Sequence, residues 1–289
     1  MKIARFRRGG DALQTGFVVG NAIFPATGDA GTEDLTTVLA ESDERIRHME
    51  EAARDGTGYP LEEVALAAPL EHPRAVLCVG RNYAEHANET QSEIPTEPII
   101  FAKLSSSIVG PYDDVILPAI APRRVDYEAE LAVVIGRRGR DIAESDASSF
   151  VLGYLVANDV TARDWQLKKP AGQWLLGKSF DTFLPIGPFL VTADEVPDPT
   201  SLHVTCRING ELLQDDTPDH MLFSIPHLIA YISAVTTLHP GDLILTGTPA
   251  GIGASRTPPR WLQPDDVVET SVETIGTLRN TVKPAAASR

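Results

Sequence analysis

The sequence predicts a mainly β fold of the sandwich or barrel-like type, preceded by a small N-terminal α/β segment. Three observations support this prediction. From residue 75 onward, short apolar runs of strand length dominate the sequence. Clusters of Pro, Gly and Asp separate these runs, as turns do between the strands of a sheet. A single amphipathic helix stands out in this part, whereas a doubly wound sheet needs helices that alternate with its strands.

The first 70 residues are predicted to form a small α/β domain. Short apolar strands such as Phe17–Val19 alternate there with turn residues, and a helix follows over Glu41–Arg54. The stretch Leu61–Pro73 is interrupted by prolines and is predicted to be a linker. We therefore place the main domain at residues 74–283.

The main domain is predicted to contain eight strands and one prominent helix. The strands are Ala75–Val79, Ile99–Ala102, Glu130–Ile135, Phe150–Ala157, Ile186–Val191, His203–Ile208, Asp242–Thr246 and Val267–Val272. The helix is predicted over Ile225–Thr236, with Pro226 in its first turn, where a missing N–H costs nothing.

Composition and charge exclude several classes of function. The 289 residues include 40 acidic and 25 basic ones, which gives a formal net charge of −15. Such a charge repels nucleic acids and anionic membranes and favours cations. No apolar run suits a membrane span or a secretory signal, so we expect a cytoplasmic protein with no nucleic acid or membrane partner. Cys78 and Cys206 lack metal-ligand spacing and are expected to be buried thiols.

An acidic block at residues 126–136, DYEAELAVVIG, leads directly into an apolar strand. Residues two apart in a strand project from one face, so Glu128 and Glu130 can both reach one cation. A solvated strand edge explains this block equally well. The fragment GYLVANDVTARD favours a cation, because its strand delivers Asp159 as a third oxygen ligand. Three carboxylates and water suit Mg²⁺, Mn²⁺ or Ca²⁺ rather than zinc.

Three further fragments carry candidate catalytic or binding side chains. In CVGRNYAEHANE, a helix would place His86 and Glu89 on one face, where the carboxylate can orient the imidazole as a general base for water. The alternative is a surface helix with both side chains in water. In GKSFDTFLPIGP, Lys178 either stabilises an oxyanion or enolate or is a surface lysine. In PGDLILTGTPAGIG, backbone N–H groups and the Thr248 hydroxyl suggest a cradle for a substrate carboxylate, although such turns are also common for conformational reasons.

Taken together and in this order, these fragments resemble the fumarylacetoacetate hydrolase superfamily. The match runs over residues 78–282 and includes Phe101-Ala102-Lys103 with the Ser-rich turn after it. The resemblance implies a mixed β-sandwich roll, a homodimer and one Mg²⁺ or Mn²⁺ ion. It also implies that Glu128, Glu130 and Asp159 are the metal ligands.

The resemblance further implies roles for the remaining candidates. They are a water-activating pair on a mobile helical lid (His86 and Glu89), an active-site lysine (Lys178) and substrate contacts at Gln166 and Thr248. Arg81 and Tyr83, which lie in the same fragment as His86, are predicted substrate contacts as well. At the position of Arg81, the branch that hydrolyses fumarylacetoacetate has an acidic residue, so this sequence differs from that branch. The sequence is closer to the acylpyruvate hydrolase, oxaloacetate decarboxylase and hydroxymuconate isomerase branches.

The resulting hypothesis is a divalent-metal-dependent hydrolase that cleaves a C–C bond in a small 2,4-dioxo acid of the acylpyruvate type, through a metal-stabilised enolate. The pair of His86 and Glu89 favours hydrolysis. An oxaloacetate decarboxylase or a hydroxymuconate-type isomerase stays open, because the metal site determines the intermediate but not the reaction. A non-catalytic metabolite-binding protein is the alternative from a different class, and EDTA-sensitive turnover of a small 2-oxo acid would exclude it.

Overall fold

The computed structural model describes residues 1–26, 35–41 and 43–286. The strands of this part are β1 (Lys2–Arg7), β2 (Gln14–Val19), β3 (Ala22–Pro25), β4 (Tyr59–Pro60), β5 (Ala65–Ala67), β6 (Val76–Gly80), β7 (Ile99–Ala102), β8 (Ile108–Val109), β9 (Val115–Leu117), β10 (Val125–Asp126), β11 (Ala129–Ile135), β12 (Val151–Asn158), β13 (Thr161–Ala162), β14 (Leu184–Thr192), β15 (Val204–Ile208), β16 (Glu211–Asp216), β17 (Leu243–Leu245), β18 (Val267–Val272) and β19 (Gly276–Pro284). The helices are α1 (Leu35–Glu41), α2 (Asp43–Arg54), α3 (Ala84–Glu89), α4 (Arg163–Lys168), α5 (Trp174–Lys178) and α6 (Ile225–Val235). In the described part of the chain, no helix is long and apolar enough to cross a membrane.

Two sheets and a short ribbon contain the strands of the described residues. The large sheet has twelve strands and follows the order β4-β3-β2-β1-β14-β12-β11-β17-β6-β7, with β5 paired to β1 and β8 paired to β14. The second sheet has the order β16-β15-β18-β19-β9, and β10 pairs with β13 as a ribbon. Most pairs are antiparallel, and the parallel ones are β17 with β6, β14 with β8 and β19 with β9. The predicted mainly β fold with some helices is confirmed.

Strand β11 lies in the interior of the large sheet, between β12 and β17, and is buried on both faces. Leu131, Val133 and Ile135 belong to an apolar core that includes side chains of β15, β18 and β19. Ala132 and Val134 point to the other face, where the core includes residues of α1 and α2. Each large apolar side chain buried in this way contributes about 1.5–3 kcal/mol. The end of β11 that carries the acidic block is therefore firmly positioned.

The eight predicted strands of the main domain agree closely with the structure, but six further strands of that domain were not predicted, namely β8, β9, β10, β13, β16 and β19. Strands Ile99–Ala102 and Val267–Val272 have the predicted bounds, and the other six predicted strands of the main domain differ by one or two residues at their ends. The side chain of Ser224 caps α6 by accepting a hydrogen bond from the His227 N–H at 3.3 Å. The predicted helix Glu41–Arg54 needs correction, because α1 ends at Glu41 and α2 begins two residues later. Ser42, which the prediction includes, lies outside the described residues.

The N-terminal residues are more closely integrated than the sequence suggested. Strand β1 was not predicted, and it pairs with β14 as well as with β2. The predicted linker contains β5, which also pairs with β1, and it buries Ala68 and Leu70. Strands from both sides of the predicted domain boundary at residues 70–74 therefore belong to the same large sheet. The division into two domains at that point stays a prediction.

Both cysteines are buried, as the sequence indicates, and burial raises the pKa of each thiol. Since the thiolate is the reactive form, neither group should react with Ellman's reagent in the native protein. Both should react once guanidinium has unfolded the chain. A thiol that reacts within minutes under native conditions would contradict the placement of Cys78 or Cys206 in the core.

Candidate metal centre and active site

Three buried carboxylates form a compact cluster at the ends of β11 and β12. Glu130 lies in β11, Glu128 directly precedes that strand, and Asp159 directly follows β12. The pairing of β11 with β12 and a hydrogen bond from the Asp159 N–H to the Glu128 carbonyl at 2.8 Å bring them together. One oxygen from each of the three lies within 4.8 Å of the others. The exposed fractions are 5%, 2% and 0%, which exclude a solvated strand edge.

Two buried lysines contact this cluster. Lys178 Nζ lies 2.8 Å from Glu128 Oε2, 2.6 Å from Asp159 Oδ2 and 3.0 Å from the Thr161 hydroxyl. Lys103 Nζ lies 2.8 Å from Asp159 Oδ1. Burial by itself would lower the pKa of Lys178, but Asp159 and Glu128 raise it above its usual value. Lys178 is therefore a buried, charged lysine and not a surface one.

A buried arginine connects the cluster to a fourth carboxylate. Arg163 Nε donates to Asp126 Oδ2 at 2.9 Å, and Arg163 Nη2 lies 2.7 Å from Glu128 Oε1. Burial by itself would raise the pKa of Glu128, but the charges of Lys178 and Arg163 lower it to about 2. Glu128 is thus an anion held between two cations, which fixes the direction of its oxygens.

Among the three candidate metal ligands, Glu130 receives the fewest hydrogen bonds and ion pairs from the described residues. Its Oε2 accepts the Gly247 N–H at 2.7 Å, and its other oxygen has no donor among the described residues. Burial, followed by the charges of Asp159 and Glu128, raises the pKa of Glu130 well above its usual value. A divalent cation would remove this repulsion, and an all-oxygen donor set fits a hard ion such as Mg²⁺ or Mn²⁺.

The charges of the surroundings agree with this fit. In the described part of the structure, four buried carboxyl groups of the site face three buried basic side chains, so full ionisation of these groups would leave negative charge in excess. The carboxylates are Asp126, Glu128, Glu130 and Asp159, and the cations are Lys103, Arg163 and Lys178. The residues present therefore fit a divalent cation.

The predicted pair of His86 and Glu89 lies on helix α3, one turn apart. His86 Nδ1 is 2.8 Å from Glu89 Oε1, and only 7% of His86 is exposed. Burial would raise the pKa of Glu89, but hydrogen bonds from His86, Ser255 and the Gly251 N–H lower it. An ionised Glu89 favours a proton on Nδ1 and leaves Nε2 as the basic nitrogen. The alternative of two solvated side chains on a surface helix does not agree with this burial.

A cavity of about 240 Å³ joins the carboxylate cluster to the His86 imidazole. This volume lies below the range of about 300–1,000 Å³ that is usual for larger ligands, so the cavity suits a small substrate. Its polar wall consists of Arg81, His86, Thr90, Ser92, Glu128, Glu130, Arg163, Gln166, Lys178 and Thr248. Its apolar wall includes Val79, Phe101, Leu167, Trp174 and Ile252.

Two polar groups of the wall have hydrogen-bond donors to spare. The Arg81 guanidinium lies 5.9 Å from the ring centre of Trp174, and among the described residues it makes no hydrogen bond or ion pair. The Gln166 side chain accepts from Arg163 Nη1 at 3.0 Å through Oε1, which leaves its amide nitrogen unused in the described contacts. Arg81 and Gln166 therefore can donate to a carboxylate or carbonyl oxygen in the cavity.

The turn after β17 has a different role from the predicted one. Its backbone N–H groups bind carboxylates of the protein itself: Gly247 binds Glu130, Gly251 binds Glu89, and Gly253 binds Asp126. The Thr248 hydroxyl donates to the Ala129 carbonyl at 2.9 Å, so its proton is not available to a substrate. The predicted cradle exists, but it orients the side chains of the site.

Two other candidates also differ from expectation. Tyr83 is 1% exposed and is not among the residues that line the cavity, although burial and then the charge of Glu130 raise the pKa of its hydroxyl. All three N–H groups of Lys178 are engaged by protein oxygens, so its contribution to the site is positive charge rather than a free donor. Of the remaining predicted residues, Glu89 contacts His86 and Asp159 contacts Lys178 behind the wall, and the others line the cavity itself.

The sequence reasoning missed three residues of the site, Lys103, Asp126 and Arg163. All three lie inside fragments that it had singled out. Asp126 precedes Glu128 by two residues, the same spacing that identified Glu130. Lys103 directly follows the apolar strand β7, a position similar to that of Asp159 after β12. For Arg163 the sequence carries no comparable signal, because its partners are distant in the chain.

Comparison with known families and proteins agrees with this geometry. Residues 75–283 match the model of the C-terminal domain of fumarylacetoacetate hydrolase. The mitochondrial oxaloacetate tautomerase FAHD2B of Bos taurus is 51% identical over 223 residues, which cover 77% of this chain and 71% of that protein.

Solved structures show the same similarity over nearly the whole chain. The fumarylacetoacetate hydrolase of Exiguobacterium antarcticum is 38% identical with a TM-score of 0.87, over 98% of this chain and 99% of that one. The maleylpyruvate hydrolase of Sphingobium sp. SYK-6, solved with manganese(II) and pyruvate, is 31% identical with a TM-score of 0.81, over 99% of this chain and all of that one.

Proposed function

This chain belongs to the fumarylacetoacetate hydrolase family, and on that premise we propose that it is a divalent-metal-dependent tautomerase of a small 2-oxo dicarboxylic acid, with oxaloacetate as the first candidate. The observation that carries the proposal is that His86, hydrogen-bonded to Glu89 behind it, lines the same small cavity as Glu128 and Glu130 of the carboxylate cluster. The similarity to an oxaloacetate tautomerase at 51% identity supports this choice of reaction.

The walls of the cavity suit such a substrate. Arg81 and the amide nitrogen of Gln166 offer donors that a carboxylate needs, and the Arg81 guanidinium brings positive charge without a described partner. Trp174, Phe101 and Ile252 exclude water on the apolar side. The volume of about 240 Å³ accommodates a compact dicarboxylic acid and restricts long acyl chains.

Keto–enol tautomerisation moves one proton between two positions of the substrate. The enol form carries this proton on the oxygen of C2, and the keto form carries it on C3. His86, oriented through Nδ1 by Glu89, would hold or deliver the C3 proton at Nε2. Lys178 and Arg163 keep Glu128 ionised and add positive charge beside the cavity. A divalent cation bound by Glu128, Glu130 and Asp159 would supply Lewis-acid polarisation of the 2-oxo group.

Hydrolysis of an acylpyruvate-like 2,4-dioxo acid is the second candidate. A His86 imidazole that can accept a proton from C3 can also accept one from water, which would then attack the distal carbonyl. The similarity to a maleylpyruvate hydrolase supports this alternative. Decarboxylation of oxaloacetate and hydroxymuconate isomerisation belong to the same set, because each needs a polarised 2-oxo group.

A single panel of assays separates these reactions. We expect the chain with Mg²⁺ or Mn²⁺ to accelerate the decay of enol absorbance when enolic oxaloacetate is diluted into buffer of low catalytic strength. With EDTA the rate should fall to that of the blank without enzyme, because the polarisation of the 2-oxo group is lost. Pyruvate release from acylpyruvates or from oxaloacetate is measured in parallel with a coupled dehydrogenase. Pyruvate release without faster enol decay would exclude the tautomerase and favour the hydrolase or decarboxylase.

Two further properties rest on resemblance. We propose that the chain forms homodimers, as the family resemblance implies, and light scattering coupled to size exclusion would test this. The bovine relative is named as mitochondrial, so it does not support the cytoplasmic location that the sequence predicts for this chain. That location stays a prediction.

A further inference from the structure

The carboxylate of Glu89 has a second set of partners besides His86. Its Oε1 faces His86 Nδ1, while its Oε2 accepts the Gly251 N–H at 2.9 Å and the Ser255 hydroxyl at 2.5 Å. Gly251 and Ser255 belong to the loop of residues 251–255, which follows β17 and is far from α3 in the chain. One side chain therefore both orients the imidazole and ties α3 to this loop.

The loop itself is fixed to the core. Asp126, which is fully buried, accepts the Gly253 N–H at 2.7 Å and the Ala254 N–H at 3.0 Å. A Cβ at Gly251 would lie 2.1 Å from the Leu213 carbonyl oxygen, and Gly251 also has a φ of +105°. Close packing of Gly251 against the backbone of Leu213 therefore fixes the conformation in which these N–H groups point to their acceptors. The loop is a rigid support rather than a flexible neighbour.

Helix α3 depends on this support. It has six residues and no side-chain cap at its start, and a helix of this length is not stable alone. Within the described structure, the two hydrogen bonds accepted by Glu89 are the ones that join residues 84–92 to a distant segment, while the Ala87 N–H donates to the carbonyl of the adjoining Tyr83 at 3.0 Å. Glu89 is also the last residue of α3, where the helix dipole disfavours a negative charge. Its position is explained by the donors of the loop.

We propose that the Gly251 N–H and the Ser255 hydroxyl form a latch that holds α3 over the cavity, and that Ser255 is a positioning residue which acts on His86 through Glu89. The part that concerns turnover rests on the proposed function, whereas the latch itself does not. Ser255 does not line the cavity, so its effect on the reaction passes through the orientation of the imidazole and not through contact with the substrate.

The test compares Ser255→Ala with Ser255→Thr, which keeps a hydroxyl, and with a matched control. Ser201→Ala is that control, because Ser201 also ends a 3-10 helix and its hydroxyl oxygen, like that of Ser255, lies within hydrogen-bond distance of the carbonyl oxygen three residues earlier. Hydrogen exchange of residues 84–92 is measured on the full chain in Mg²⁺ buffer. We expect about 10–100-fold faster exchange in Ser255→Ala, because a hydrogen bond to a charged acceptor is lost. Ser255→Thr and Ser201→Ala should stay within about twofold of the parent chain.

A second variant keeps the test decisive if Ser255→Ala folds poorly. Glu89→Ala removes the acceptor of both bonds and should speed exchange at least as much. Adding Ser255→Ala to it should change nothing further, since the shared bond is already absent. Unchanged exchange in Ser255→Ala, or additive effects in the double variant, would overturn the latch. Because exchange needs no substrate, this outcome is separate from any failure of the proposed reaction.

Turnover provides the readout for the positioning role. If the chain is a tautomerase, Ser255→Ala should lower kcat about tenfold with KM within about twofold, and Ser255→Thr should restore it. Faster exchange with an unchanged kcat would overturn the positioning role of Ser255. A chain without any tautomerase activity would refute the proposed function, and the exchange result would still decide the latch.

Discussion

Replacement of His86 by glutamine is expected to lower kcat for the proposed tautomerisation by about 10²–10⁴-fold, the usual contribution of a general acid or base. Glutamine keeps a polar side chain of similar reach but has no imidazole nitrogen that can accept and return a proton. Nδ1 of His86 is bound to Glu89, so Nε2 is the nitrogen that this substitution removes from proton transfer. Stopped-flow decay of enolic oxaloacetate measures the effect.

Metal affinity should stay within about threefold in the same variant, because His86 is not among the three carboxylates of the cluster. Glu85→Gln is the matched control, since Glu85 lies on the same short helix and is exposed. It should leave both kcat and affinity unchanged. Full activity of His86→Gln would remove the imidazole from the mechanism, and an equal loss in both variants would indicate damage to α3 instead.

The substitution Glu130→Gln is expected to change metal affinity and apoprotein stability in opposite directions. Mg²⁺ or Mn²⁺ affinity, measured by calorimetry, should fall by at least about 100-fold, more than the 10–100-fold cost of losing an outer partner of a metal ligand. In EDTA the variant should melt at a higher temperature than the parent chain. Each gain of about 1 kcal/mol in the free energy of unfolding would raise Tm by roughly 2–4 °C. The reason is that a raised pKa marks an anion that burial and two like charges disfavour.

Asp242→Asn provides the control for this second prediction. Asp242 is also buried and its pKa is also raised by burial, but its partners are backbone N–H groups outside the cavity. It should leave metal affinity unchanged. A parent-like affinity in Glu130→Gln would refute the metal centre. Asp159 is less suitable for the test, because its loss leaves Lys103 without its carboxylate partner and Lys178 with Glu128 alone, and an unpaired buried charge costs about 3–5 kcal/mol in folding.

Most of the fold was predictable because strand formation leaves a local pattern. Alternating or continuous apolar runs bounded by Pro, Gly and Asp located eight strands of the main domain within one or two residues, whereas β8, β9, β10, β13, β16 and β19 were not predicted. Strand β1 escaped prediction because its charged ends were interpreted as a basic terminus. Its Arg5 is paired with Glu71 at 2.7 Å, and this partner from a distant segment permits a charged residue in the sheet.

The site was predictable to the extent that its residues share a local rule. The spacing of two residues identified Glu128 and Glu130, and the spacing of three identified His86 and Glu89. The hydroxyl of Thr248 shows the limit of such rules. Its position after a strand suggested a substrate contact, but the Ala129 carbonyl, more than one hundred residues away, takes its proton.

The sequence by itself determined the strand pattern, the excess of acid and the residue types that bring oxygen ligands and an imidazole to one fold. Only the tertiary structure decided which charged partners surround each carboxylate and which of its oxygens have no hydrogen-bond donor. Lys103 and Lys178 converge on Asp159, Arg163 bridges Asp126 to Glu128, and Glu130 keeps an oxygen without a described donor. The physical reason is that burial and charge interaction act over a few ångströms in space, between residues that lie far apart in the chain, in one case by more than one hundred positions.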